Sequence, residues 1–194
     1  LSSLRPVYGV DVEWREGRQW VHIRASEPLE FSTHLLADPA RAVIDLPRAR
    51  WVGAPLSRVI GGPVARRVRA SQYQPDSVRI VIDLDVATRV EGYSHAGGLS
   101  LVLHQQVGQV HVWQGATGPI IDVAASGPLE PQVTLLPDPD RLVIDLPRAS
   151  LVTGASGGDV PVAGVGRWRI SQFTPESVRL VLELERPLSV LDAR

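Results

Sequence analysis

The chain contains no cysteine, no methionine, no lysine and no asparagine. Without thiols there is no disulfide framework, no thiolate metal site and no cysteine nucleophile. Without lysine, all 20 cationic side chains are arginine, a set suited to planar, two-pronged recognition of carboxylate or phosphate. The codon bias of a GC-rich genome produces the same skew, and the missing Asn, Met and Cys fit that bias or a heat-adapted protein equally well. No apolar stretch approaches the roughly 20 residues that span a bilayer. No signal peptide is visible and residue 1 is Leu, so the chain is expected to be a piece of something longer. A formal net charge of −1 gives neither nucleic acid nor an anionic membrane a field to bind.

What the sequence does contain is a repeat. At 194 residues the length fits one large domain or two small ones, and self-comparison at an offset of 100 residues decides for two. Asp38-Pro39-Ala40-Arg41-Ala42-Val43-Ile44-Asp45-Leu46-Pro47-Arg48-Ala49 returns without a gap as Asp138-Pro139-Asp140-Arg141-Leu142-Val143-Ile144-Asp145-Leu146-Pro147-Arg148-Ala149. Arg69-Ala70-Ser71-Gln72-Tyr73-Gln74-Pro75-Asp76-Ser77-Val78-Arg79 returns as Arg169-Ile170-Ser171-Gln172-Phe173-Thr174-Pro175-Glu176-Ser177-Val178-Arg179, and Pro28-Leu29-Glu30 as Pro128-Leu129-Glu130. Two homologous domains follow, 1–105 and 106–194.

Within each copy the apolar period is two, which is the period of strands. Val10, Val12 and Trp14 alternate with polar neighbours, Glu16-Gly17 turns the chain, and Val21 and Ile23 alternate on the return, a hairpin pattern. Ala42, Ile44 and Leu46 share one face, leaving Arg41, Val43 and Asp45 on the other. Val78, Ile80, Ile82 and Leu84 point inward and Arg79, Val81, Asp83 and Asp85 outward. Short strands punctuated by Gly and Pro predict an all-β chain of two tandem small β-sandwich domains. The first copy closes with a strand pair, Arg89 to Ser94 and Leu99 to His104, and only Gln105 and Gln106 then separate it from the second. So short a joint predicts a fairly fixed relative orientation. The second copy reaches Arg194 before any counterpart of Leu99 to His104, so it is expected to lack its last strand.

The two blocks, D-P-x-R-x-V-I-D-L-P and then R-x-S-Q-[YF]-x-P-[DE]-S-V-R, occur twice at the same separation, and in this they resemble the AMIN domain. That resemblance implies a non-catalytic β-sandwich that binds peptidoglycan and places its parent at the cell wall, often at the division septum. The parent it implies is an N-acetylmuramoyl-L-alanine amidase in the periplasm or cell wall. The alternative is a docking module for an envelope protein of a secretin, pilus or divisome assembly. It implies no cofactor, no nucleic-acid partner and no membrane insertion.

Peptidoglycan stem peptides present carboxylates, which suit Arg forks, and its sugars present C–H faces, which suit aromatic rings. The candidate binding residues are therefore Arg41, Arg69, Gln72, Tyr73 and Arg79, with Arg141, Arg169, Gln172, Phe173 and Arg179 in the second copy. The competing reading is that Arg41 pairs with Asp45, or Arg79 with Asp83, across neighbouring strands on a solvated face. Asp45 and Asp145, just before a proline, fit acceptors for a turn or an Arg. Trp168 aligns with inward Val68 and reads as core, whereas Trp20, Trp51 and Trp113 fit glycan platforms or domain contacts.

No catalytic residue and no metal ligand is assigned. Gly154-Ala155-Ser156-Gly157-Gly158 matches G-x-S-x-G, but Asp159-Val160-Pro161-Val162 cannot supply the following helix, so a flexible loop is expected. Asp83 and Asp85, matched by Glu183 and Glu185, have the spacing of an acid pair but read as a solubility device on an exposed strand. His22, His34, His95, His104 and His111 show no ligand spacing. The zinc site an amidase needs is expected outside this segment.

Overall fold

Glu16 and Gly17 take left-handed backbone, with φ of 53° and 68°, the geometry of a two-residue hairpin turn. They join the first two strands, as the alternation predicts. The computed structural model describes residues 3–85, 87–152 and 156–191. It divides into two units, Leu1–His104 and Gln105–Arg194.

In the first unit the strands are β1 (Arg5–Arg15), β2 (Arg18–Ala25), β3 (Ser32–Ala37), β4 (Ala40–Pro47), β5 (Ala49–Trp51), β6 (Leu56–Val59), β7 (Ala65–Gln74), β8 (Ser77–Leu84), β9 (Val90–His95) and β10 (Gly98–Leu103). They form two sheets, ordered β5-β1-β2-β10-β9 and β3-β4-β8-β7-β6. The inward residues of both sheets meet in one core: Val10, Val21, Ile23, Leu99 and Leu101 from the first, Ile44, Leu46, Ile80 and Ile82 from the second. Each such side chain, fully withdrawn from water, contributes about 1.5–3 kcal/mol.

The chain changes sheets at Arg48, whose positive φ of 53° is repeated at Arg148 with 60°. There Pro47 ends β4 and Ala49 begins β5, which pairs in parallel with the start of β1. Arg48 forms an ion pair with Glu30, and Arg148 with Glu130. That explains the recurrence of Pro-Leu-Glu: Leu29 is buried in the core, and the next residue pins the crossover.

The second unit contains β11 (Gln105–Gln114), β12 (Pro119–Ala125), β13 (Gln132–Leu136), β14 (Arg141–Pro147), β15 (Ala149–Leu151), β16 (Ser156–Val162), β17 (Val165–Thr174) and β18 (Ser177–Leu184). Its sheets are β12-β11-β15 and β13-β14-β18-β17-β16. Among the described residues there is no counterpart of β9 and β10. The cost falls on the core: Val110, Val112, Ile121 and Val123 are only partly buried, whereas Val10, Val21 and Ile23 are buried in the first unit.

Two expectations are corrected. Gln105 and Gln106 are not a joint between domains but the first residues of β11, paired in parallel with Ala149 and Ser150. The segment read as a flexible G-x-S-x-G loop is a strand from Ser156 onward; Gly154 and Ala155 lie outside the described residues. A Cβ at Gly157 would come within 2.5 Å of the Trp168 carbonyl and 3.1 Å of Arg169 Cα, so the glycine lets β16 lie close on β17.

Candidate binding surface

Cross-strand register assembles the outer face of β4, β8 and β7. Asp45 stands opposite Arg79 and Arg41 opposite Asp83, and Arg79 in turn stands opposite Ser71. Arg79 grips Asp45 with two parallel bonds, Nε to Oδ1 at 2.7 Å and Nη2 to Oδ2 at 2.9 Å. Its guanidinium carbon also lies 3.5 Å from the centre of the Tyr73 ring. The Arg79 bond holds the Asp45 carboxyl below the usual carboxylate range, against the opposing effect of burial, and Asp45 in turn stabilises the charged guanidinium.

The second copy repeats this arrangement. Arg179 binds Asp145 at 2.6 and 2.8 Å and lies 3.4 Å over the Phe173 ring. Tyr73 and Phe173 remain 50% and 52% exposed, so each ring presents surface to solvent that the guanidinium does not cover.

The remaining arginines differ between the copies. In the first, Asp83 holds both Arg41 Nε at 3.1 Å and Arg69 Nη2 at 2.6 Å. In the second, Glu183 replaces Asp83, and among the described residues Arg169 and Glu183 have no ion-pair partner. Arg141 Nε donates to the Pro139 carbonyl at 3.3 Å. Among the described residues, the outer face of the second copy therefore leaves the Arg169 guanidinium without an ion pair where the first copy has Arg69 bound to Asp83.

Gln72 and Gln172 occupy a different place. Gln72 Nε2 donates to the carbonyls of Ala49, Gln74 and Ser77 at 3.2, 2.7 and 3.0 Å, while Oε1 accepts the Trp51 N–H at 2.8 Å. Gln172 makes the same set with Ala149, Thr174, Ser177 and Leu151. Each glutamine ties the crossover strand to the turn that follows its own strand, β7 to β8 in the first copy and β17 to β18 in the second, a sufficient reason for its repetition. Trp51 Nε1 donates to the Ala54 carbonyl and Trp113 Nε1 to Asp122, both at 2.8 Å; Trp168 packs partly buried against its core.

On the opposite sheet of the first copy, Glu13, His22, Ser100 and His95 form a row that sequence spacing did not reveal. His22 Nε2 meets Glu13 at 3.1 Å and Nδ1 meets Ser100 Oγ at 2.8 Å; His95 Nε2 meets the same oxygen at 2.9 Å, and Gly97 N–H donates to His95 Nδ1 at 3.2 Å. These bonds admit a consistent direction: His95 donates to Ser100, Ser100 to His22, and His22 to Glu13. The row ties β1, β2, β10 and β9 together across this face. Asp83 is held by Arg41 and Arg69 and Asp85 by Arg66, which engages both members of the acid pair in ion pairs. Among the described residues no group of three His, Asp or Glu side chains is placed to hold a metal ion.

The AMIN domain family profile matches the chain twice, over residues 9–100 and 109–192. The chain belongs to the AMIN-domain family. AMIN domains are non-catalytic peptidoglycan-binding and targeting modules of extracytoplasmic proteins. No curated protein matches this chain. Among the described residues no helix is long and apolar enough to cross a membrane.

Proposed function

We propose that this AMIN pair binds peptidoglycan through the outer faces of β4, β7 and β8 and of β14, β17 and β18, and so places an N-acetylmuramoyl-L-alanine amidase at the bacterial wall, including the division septum. The observation that carries the reading is the arginine laid over an exposed aromatic ring and clamped by an aspartate, kept in both copies while many surrounding positions differ. The stack offers rigid apolar surface for sugar C–H faces. Beside it, Arg69 and Arg169 and Arg41 and Arg141 offer forks for stem-peptide carboxylates. Gln72 and Gln172 support this face from behind.

Co-sedimentation with purified sacculi tests the reading. The protein is expected to pellet, and Arg69→Ala with Arg169→Ala to weaken pelleting. Undiminished pelleting of the double variant would remove those residues from the site.

A second reading, docking to an envelope protein, draws on the edge strands β3 and β13. Both lack Lys, Arg, Asp and Glu and both carry an exposed leucine pair, Leu35-Leu36 and Leu135-Leu136. Such an edge invites strand addition. Binding to envelope protein that is absent on purified sacculi would favour it.

A further inference from the structure

We infer that the outer edge of β12, in the second copy, docks an extended strand of a partner polypeptide. The strand runs antiparallel to β12 and carries bulky apolar side chains at alternate positions, with a cation between two of them. This is independent of peptidoglycan binding and uses neither the arginine faces nor the edges of β3 and β13.

β11 and β12 pair antiparallel, and among the described residues no strand lies on the other side of β12. The N–H and C=O groups that point away from β11 are therefore open to a further ladder. The side chains agree with the backbone. Ile121 and Val123 face the core but are only partly buried, whereas at the same positions of the first copy Val21 and Ile23 are 0% and 1% exposed.

The first copy shows what covers such an edge. There β2, the counterpart of β12, pairs antiparallel with β10, which sets Leu101 opposite Val21 and Leu99 opposite Ile23. Leu99, Leu101 and Leu103 are all fully buried in that core. The register of β1 on β2 is kept by β11 on β12: Val10 stands opposite Ile23, and Val110 opposite Val123. A strand laid on β12 as β10 lies on β2 thus places apolar residues opposite Val123 and Ile121, and main-chain bonds add the affinity.

Charge then selects the occupant. Between Ile121 and Val123 lies exposed Asp122, the one charged residue of β12, where the first copy sets His22 opposite Ser100. Asp122 accepts the Trp113 Nε1–H at 2.8 Å, and among the described residues no cation pairs with it. A lysine or arginine directly opposite makes a favourable cross-strand pair and a carboxylate an unfavourable one. Self-pairing of β12 about a twofold axis meets that penalty, because the register that sets Ile121 opposite Val123 in both directions puts Asp122 opposite Asp122. A separate partner with a cation at that position avoids it.

Peptides with the sequence of Gly98–His104, extended by a soluble Gly-Ser tail, test this against the isotopically labelled full chain. The Ser100→Arg peptide is expected to bind, with chemical-shift changes at Ile121 and Val123 and none at Val21 and Ile23. The Ser100→Glu peptide is expected to bind about threefold or more weaker, and a Leu101→Asp peptide about tenfold weaker. Asp122→Arg in the chain, at an exposed position, should reverse the order of the Arg and Glu peptides. Absence of binding, equal affinity of those two peptides, or changes that fall at Val21 and Ile23 instead would overturn the assignment. So would sedimentation showing a dimer of the full chain that the peptide disperses, which gives the edge to a second copy.

Discussion

Arg79 and Asp45 are 34 residues apart in sequence, yet they close a two-bond fork at 2.7 and 2.9 Å, and Arg179 repeats it with Asp145 at 2.6 and 2.8 Å. The pair joins β8 to β4 at the point where Tyr73 or Phe173 covers the guanidinium. Arg79→Ala is expected to destabilise the protein by about 1–2 kcal/mol, less than a buried pair because both groups are partly solvated. Because Arg79 lowers the Asp45 pKa below its ordinary value of 3.8, this contribution is fully present above that value and is lost as pH falls below it. Denaturant unfolding at neutral and strongly acidic pH, for wild type and variant, should give curves that converge in acid.

The glutamines give a contrasting result. Gln72→Ala removes the acceptor of the Trp51 N–H and the shared donor to three carbonyls. It is expected to cost about 1–3 kcal/mol. Urea midpoints should fall, while sacculus binding measured well below the transition stays close to wild type.

Asp83 holds Arg41 and Arg69 in the first copy, whereas among the described residues of the second Arg169 has no ion pair. Asp83→Ala is therefore expected to increase sacculus pelleting, by roughly twofold, through two released forks. Arg169→Ala should weaken pelleting more than Arg69→Ala. A pelleting assay at low and physiological salt checks both orderings.

His104 is fully buried at the end of β10, 3.5 Å from Glu91. Burial pushes its imidazole below the ordinary 6.5; Glu91 opposes this, and Arg89 and Arg18 add to it. A group kept neutral in the fold contributes stability above its unfolded value, which is lost as pH falls through that range. The melting temperature should therefore drop between pH 7.5 and 5.5, and His104→Gln should flatten that drop (roughly the span in which histidine titrates). Parallel slopes for the two proteins would contradict the assignment.

The duplication was legible in the sequence from its fixed offset of 100 residues, and the strand period and the inward faces from local alternation. Ile80 and Ile82 face the core for the reason that Arg79 and Asp83 do not. What the sequence left open was register. It offered Arg41 with Asp45 or Arg79 with Asp83; the antiparallel pairing of β4 with β8 instead matches Arg79 to Asp45 and Arg41 to Asp83. The same limit hid Gln72, whose four partners lie on β5 and around the following turn. Gly157 looked like a loop residue because the sequence does not show that β17 backbone lies against it.

The most direct test of the central claim is to map chemical shifts on the isotopically labelled chain during titration with soluble, uncrosslinked muropeptide polymer. Changes should concentrate at Tyr73, Arg79, Arg69, Phe173, Arg179 and Arg169, with the core residues Ile80 and Leu180 unmoved. A saturating titration that leaves those outward residues unperturbed, or that moves only the edges at Leu35-Leu36 and Leu135-Leu136, would contradict it.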